Sequence, residues 1–274
     1  MCDEFGCGTD YSHLAPIKVP QEKRRAFIKG LISLPLAAVL ADPALASAAA
    51  EGVQDITIKM PDGKSTSGVV AYPEQANAPT LLLIHEWWGL NDQIKAVARE
   101  FANEGFLVVA VDMYNGKVAT TGEDAKALMM GMDMNFANQA VVSWIDWLKN
   151  SPKGNGKVGT LGWCFGGGWS LNTSLLTPVD ATVIYYGHLN KTAAQLSSLH
   201  SPVLGHFGTL DKSIDEKMVG EFENAMDEAG KKDYTSYWYT ANHAFANPTG
   251  ARYDADDAAL AWSRTLAFLH KHLG

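Results

Sequence analysis

The chain has 274 residues, is 47% hydrophobic, and carries 22 Lys and Arg against 30 Asp and Glu, a net charge of -8. That length suffices for one sizeable α/β core, and the acidic balance excludes nucleic acid and anionic membranes as expected partners. The first 48 residues hold five charges of each sign, so residues 49–274 carry the whole imbalance.

Near the N-terminus, Lys23-Arg24-Arg25-Ala26-Phe27-Ile28-Lys29 precedes an apolar run over 30–40 and then Ala44-Leu45-Ala46-Ser47-Ala48. A basic region, a short apolar stretch and a small-residue cleavage site read as a signal peptide. The apolar run is too short, and too interrupted by Pro35, to make a good membrane span. Arg24 and Arg25, followed one residue later by Phe-Ile-Lys, resemble the twin-arginine signal with which bacteria export folded proteins. The expectation is an export leader over 1–48, cut after Ala46 or Ala48 or retained as an anchor, and a single α/β domain over 49–274. It places the protein in the periplasm or outside the cell, with the export machinery as a partner through the two arginines. Cys2 and Cys7 lie upstream of those arginines, which leaves Cys164 as the one thiol beyond the leader. A single thiol in an exported chain cannot form an internal disulfide and is a candidate reactive group.

From residue 51 onward, short β-rich runs alternate with longer segments of helical period, the pattern of a mostly parallel central sheet flanked by helices on both faces. Strands are expected over 55–59 and 68–72, joined by a turn at Pro61-Asp62-Gly63 as an antiparallel start, and then over 80–85 and 107–111. Four more follow over 157–162, 181–186, 202–207 and 234–239. Helices are expected over 93–104, over 122–149 with a break near Asp133, and over 166–176, 213–229 and 256–272. Trp144 and Trp147, three residues apart on one such helix, read as core packing. In sheets of this kind chemistry collects at the carboxyl ends of the strands, so the loops after His85, Gly162, Phe207 and Tyr239 are where a site belongs.

Directly after a strand comes Gly162-Trp163-Cys164-Phe165-Gly166, a Gly-x-Ser-x-Gly elbow with Cys in place of Ser. Such a nucleophile sits on a strained strand-to-helix turn, and the N-terminus of the following helix favours negative charge on the thiol. The elbow predicts an acid and then a histidine, each after a later strand. Asp211 in Gly208-Thr209-Leu210-Asp211 and His243 in Ala241-Asn242-His243-Ala244-Phe245 fill those places. His243 would act as general base and acid, with Asp211 fixing its tautomer. Asp215 is the rival acid but is expected inside the next helix. An oxyanion hole would use the backbone N–H groups of Phe165 and of Trp87. Glu86, at the end of an apolar strand, is costly to desolvate without a partner. His85, His200, His206, His270 and His272 show no metal-ligand spacing and receive no role.

His85-Glu86-Trp87-Trp88-Gly89, the Cys164 elbow, Tyr185-Tyr186-Gly187, Gly208 to Asp211 and His243-Ala244-Phe245 together resemble the dienelactone hydrolase family over nearly the whole chain after residue 50. The resemblance implies an α/β-hydrolase fold, a Cys-His-Asp triad, no metal or organic cofactor, and hydrolysis of a small ester or lactone through an acyl-thioester. It also implies that Glu86 pairs with the resting thiol and helps generate the thiolate when substrate binds. A thioesterase or other acyl hydrolase shares these motifs, while the intact triad order argues against a non-catalytic binding protein.

Lactone-cleaving members look to clamp the substrate carboxylate with two arginines, one shortly after Asp-x-Tyr and one four residues beyond the histidine. Here those stretches read Asp112-Met113-Tyr114-Asn115-Gly116-Lys117 and His243 to Asn247, with neither arginine. Lys117 and Arg252 are possible substitutes, but Lys lacks the planar fork that suits a carboxylate. Trp87, Trp88, Tyr114 and His188 are expected instead to line an apolar, aromatic-rich pocket.

Overall fold

A computed structural model describes residues 19–29 and 36–274. Among the described residues, eight strands form one sheet: β1 (Gln54–Lys59), β2 (Ser65–Ala71), β3 (Ala78–Ile84), β4 (Leu107–Val111), β5 (Gly154–Trp163), β6 (Ala181–Tyr185), β7 (Val203–Gly208) and β8 (Tyr234–Tyr239). Their order in the sheet is β1-β2-β4-β3-β5-β6-β7-β8. β2 runs antiparallel to both β1 and β4, and every later pair is parallel. All eight expected strands are present within a few residues of the sequence-based bounds, antiparallel start included.

The helices are α1 (Gln21–Ile28), α2 (Leu36–Leu40), α3 (Pro43–Ala50), α4 (Asp92–Asn103), α5 (Gly122–Met130), α6 (Met134–Lys149), α7 (Phe165–Leu176), α8 (Ala193–Leu196), α9 (Glu216–Glu228) and α10 (Ala255–Leu273). The break foreseen near Asp133 is a helix start, because the Asp133 carboxylate accepts from the amides of Asn135 and Phe136 and caps α6. Asp215 corrects an expectation. It does not lie inside a helix but caps the start of α9, accepting from Met218 N at 2.9 Å, so α9 begins three residues later than read.

Alternation along the strands feeds both faces of the sheet. Leu81, Leu83, Val108 and Ala110 pack with α4 and α10 on one face, while Leu82, Ile84, Val109 and Val111 meet α6 on the other. This double cover explains why β3 and β4 are apolar at consecutive positions rather than at every second one. Trp144 is fully buried there and donates its indole N–H to Thr66 Oγ1 at 3.2 Å.

The segment read as an export leader is partly described. Residues 1–18 and 30–35 fall outside the described residues, Cys2, Cys7 and Pro35 among them. Asp42 caps α3 and forms an ion pair with Arg24 at 2.9 Å. Val39, Leu40, Leu45 and Ala46 are buried, and α3 runs across the 48/49 boundary expected between leader and domain. Among the described residues no helix is long and apolar enough to cross a membrane.

Candidate active site

The sheet order reverses at β3, which has β4 on one side and β5 on the other. A crevice outside the carboxyl ends of the strands is expected at such a switch point. Register then fixes what meets there. Ile84 of β3 pairs with Gly162 of β5, so the two chains leave the sheet at the same level with Glu86 and Cys164 each two residues further on.

Cys164 has φ 54° and ψ -114°, a conformation L-residues rarely adopt, between the end of β5 and the first residue of α7. The neighbouring glycines make that turn possible: a Cβ at Gly162 would fall on the Gly166 carbonyl, and one at Gly166 on the carbonyls of Ile84 and His85. Cys164 N donates to Tyr185 O at 2.9 Å, tying the elbow to β6. Among the described residues five non-glycines have positive φ, and three of them, Cys164, Tyr186 and Ala244, sit at or beside the site. Backbone strain of this kind persists only where surrounding structure holds it.

The Cys164 Sγ lies 3.2 Å from His243 Nε2, and His243 Nδ1 lies 2.6 Å from Asp211 Oδ2. Asp211 Oδ1 also accepts from the amides of Ser213 and Ile214 at 2.8 and 3.0 Å. Burial pushes the Asp211 carboxyl upward, but its hydrogen bond and charge interaction with His243 and those two amides outweigh it and hold the group below its ordinary value. With Asp211 ionised, Nδ1 of His243 carries a proton and Nε2 faces the sulfur. Asp211 and His243 meet because β7 and β8 end in register, Gly208 opposite Tyr239, and the loops beyond stay bonded through Thr209 N to Tyr239 O and Leu210 N to Ala241 O.

Phe165 is the first residue of α7, so its amide has no partner within the helix. Trp87 lies in the turn after β3 that is closed by Gly89 N donating to Glu86 O at 3.3 Å. His85 props this turn from beneath. It is fully buried, and burial lowers its pKa to about 4. The imidazole is therefore neutral at pH 7, with Nε2 accepting from Met113 N at 3.2 Å and Nδ1 left to donate to the Glu86 carbonyl. His206 is likewise buried, pushed to about 3 by burial and then by Arg264, and bonds Tyr239 OH and Thr265 Oγ1. Both are structural histidines. Among the described residues no group of three or more His, Cys, Asp and Glu is gathered as a metal site would need.

Glu86 is buried, and Asn247 Nδ2 donates to its Oε2 at 2.6 Å. The amide orientation follows from its other end, where Asn247 Oδ1 accepts from Gln93 Nε2 at 2.8 Å and Thr249 N at 3.0 Å. Asn247 occupies the position four residues past His243 at which an arginine was sought. Sequence reasoning registered only that arginine's absence and so missed Asn247 and Gln93. The ring of Tyr186, also not assigned, packs edge-on against His243 at 5.2 Å.

The expected pocket residues lie around the start of α7, with Tyr114 and Trp88 packed near Phe165 and His188 beside Gly168. Tyr114 is buried against the rings of His85 and Phe165, Trp88 is half-buried against Trp87, and His188 is exposed. A separate cavity of about 440 Å³ lies between α4 and α10 with Glu86 in its lining, and none of the three lines it. Lys117 and Arg252 do not reach it either.

A mostly parallel sheet with a strained cysteine elbow, followed in chain order by acid and histidine at hydrogen-bonding distance, defines an α/β-hydrolase fold. Protein usf of Aquifex pyrophilus is 31% identical over 225 residues, covering 77% of this chain and 96% of that protein. Carboxymethylenebutenolidase of Pseudomonas putida is 28% identical over 230 residues, covering 79% and 95%. The crystal structure of a dienelactone hydrolase-like promiscuous phosphotriesterase from metagenomic libraries superposes with a TM-score of 0.72 at 24% identity, over 81% of this chain and all of that one. The family model for the dienelactone hydrolase family matches residues 66–273, and the chain belongs to that family of hydrolases.

Proposed function

We propose that this hydrolase cleaves a carboxylic ester or lactone with Cys164 as nucleophile, His243 as proton carrier and Asp211 as the group that orients and stabilises the imidazolium. The observation that carries this reading is the continuous line of contacts from Cys164 Sγ through His243 to Asp211 at 3.2 and 2.6 Å. His243 Nε2 takes the thiol proton, and the thiolate adds to the carbonyl carbon while the C=O π pair moves onto oxygen. The amides of Phe165 and Trp87 receive that oxyanion. Collapse expels the alkoxide, which takes the proton from Nε2 and leaves a thioester. Water then adds with His243 as base, the thiolate leaves, and the acid product departs. Glu86, two residues past the strand that pairs with the nucleophile's strand, assists removal of the thiol proton as substrate binds.

The Arg24-Arg25 pattern supports export through the twin-arginine route, with 1–48 as leader, 49–274 as the hydrolase and the periplasm or exterior as destination. The decisive experiment for the chemistry uses activated esters with the full chain and with Cys164→Ala and Cys164→Ser. The alanine variant is expected to lose at least about 10³-fold in kcat, and retained activity there removes Cys164 from the mechanism.

A further inference from the structure

The 440 Å³ cavity between α4 and α10 has a composition that names what would fill it. Its walls include Ile94 and Val97 of α4, Trp163 and Tyr185 at the ends of β5 and β6, Trp262 of α10 and Leu40 of α2. Among the described residues its charged lining side chains are Glu86 and Glu100, with no Lys, Arg or His. Two carboxylates and no cation repel a substrate carboxylate, while aromatic and aliphatic walls reward burial of neutral apolar surface.

The cavity adjoins the reacting residues through their neighbours, Trp163 before Cys164 and Tyr186 beside His243. Tyr186 lines it and packs on His243, and Glu86 lines it at the level where β3 and β5 deliver Glu86 and Cys164. Cys164 belongs to the same apolar cluster as Leu40, Ile94, Val97, Trp163 and Tyr185. Trp87, whose amide is proposed to hold the oxyanion, packs in a different cluster with Ala119 and Ala125. Because Trp163 precedes Cys164 and lines the cavity, an acyl group on Cys164 with its oxygen turned toward Trp87 and Phe165 is placed to extend into it.

Resting on the reading of Cys164 as nucleophile, the geometry points to a substrate class: neutral esters with an apolar acyl chain, housed between α4 and α10, rather than lactones bearing a carboxylate. Ala37 and Leu40 supply the wall on the α2 side and Ala258 lies on the α10 side. Ala37 and Leu40 belong to the segment proposed as a leader, so the assignment rests on the walls from α4, α10 and the strand ends, which remain in 49–274, and the test uses the full chain.

The experiment compares kcat/KM for four p-nitrophenyl esters: acetyl, octanoyl, a chain of octanoyl length ending in a carboxylate, and one ending in trimethylammonium. The neutral octanoyl ester is expected to exceed both the acetyl and the carboxylate-ended ester by at least about tenfold. Ala258→Trp and Ala37→Trp, which fill the cavity from opposite walls, are expected to lower the octanoyl-to-acetyl ratio about tenfold. The profile of the unsubstituted chain stands even if a tryptophan variant fails to fold. Absence of hydrolysis of all four esters, or hydrolysis that survives in Cys164→Ala, overturns the nucleophile reading and this inference together. Acetyl hydrolysis through Cys164 with no octanoyl advantage, or with preference for either charged chain, overturns the cavity assignment alone.

Discussion

Asp211 and Glu86 are buried to almost the same degree, 5% and 6% exposed, yet different chemistry holds them. Asp211 faces an imidazole and two backbone amides, all donating to the ionised form. Glu86 is met by the side-chain amide of Asn247, which Gln93 and Thr249 hold in turn. The contrast teaches a division of labour within one site. Asp211 is paired with the imidazole it orients, while one of the contacts of Glu86 is a side-chain amide from Asn247, a partner that can be exchanged when a substrate arrives.

The largest test of that division is Asp211→Asn. The amide can present its N–H to Nδ1 and so favour the wrong tautomer, and kcat should fall about 10⁴-fold on an activated ester. A loss under tenfold would mean that Asp211 and Glu86 do not differ in the way their partners suggest. The acid side of stability follows the same residue. Because the folded Asp211 carboxyl sits below its ordinary value of 3.8, its stabilisation is fully present above that value and is lost as pH falls through the lower folded value. Acid titration of stability should therefore become shallower in the variant.

Glu86→Gln is next in size. Acylation, followed as the burst of released nitrophenol, should slow by about 10²-fold, and alkylation of Cys164 by iodoacetamide should shift its pH profile. Unchanged burst rates and an unchanged profile would make Glu86 a packing residue and end the comparison.

The smallest effect is expected at Asp215, the rival acid. Asp215→Ala removes the cap of α9 and should cost about 1 kcal/mol of stability, read as a lower denaturant midpoint with kcat unaltered. A kcat loss matching that of Asp211→Asn would reassign the triad acid.

Much of this site was legible in the sequence because it depends on local pattern. The elbow is five consecutive residues, and Asp211 and His243 are each bound to the end of a strand whose apolar run marks it. Asp215 was misread by a few residues because a cap and a first helical turn look alike in composition. The pocket was harder to read, because sequence gives proximity to the elbow but not side-chain direction. Trp88, Tyr114 and His188 are near the elbow in the fold, but side-chain direction turns Tyr114 into packing and leaves His188 on the surface.

The sequence by itself determined the α/β alternation, the parallel sheet with its antiparallel start, and the order of nucleophile, acid and histidine. Periodicity and turn chemistry act over a few residues, and this is why one chain suffices to read them. Only the tertiary structure decided that Gln93 and Asn247, 154 positions apart, converge on Glu86, and that Leu40 and Trp262 face one another across a cavity. Those arrangements depend on how helices from distant parts of the chain pack over the sheet, and no local pattern encodes that.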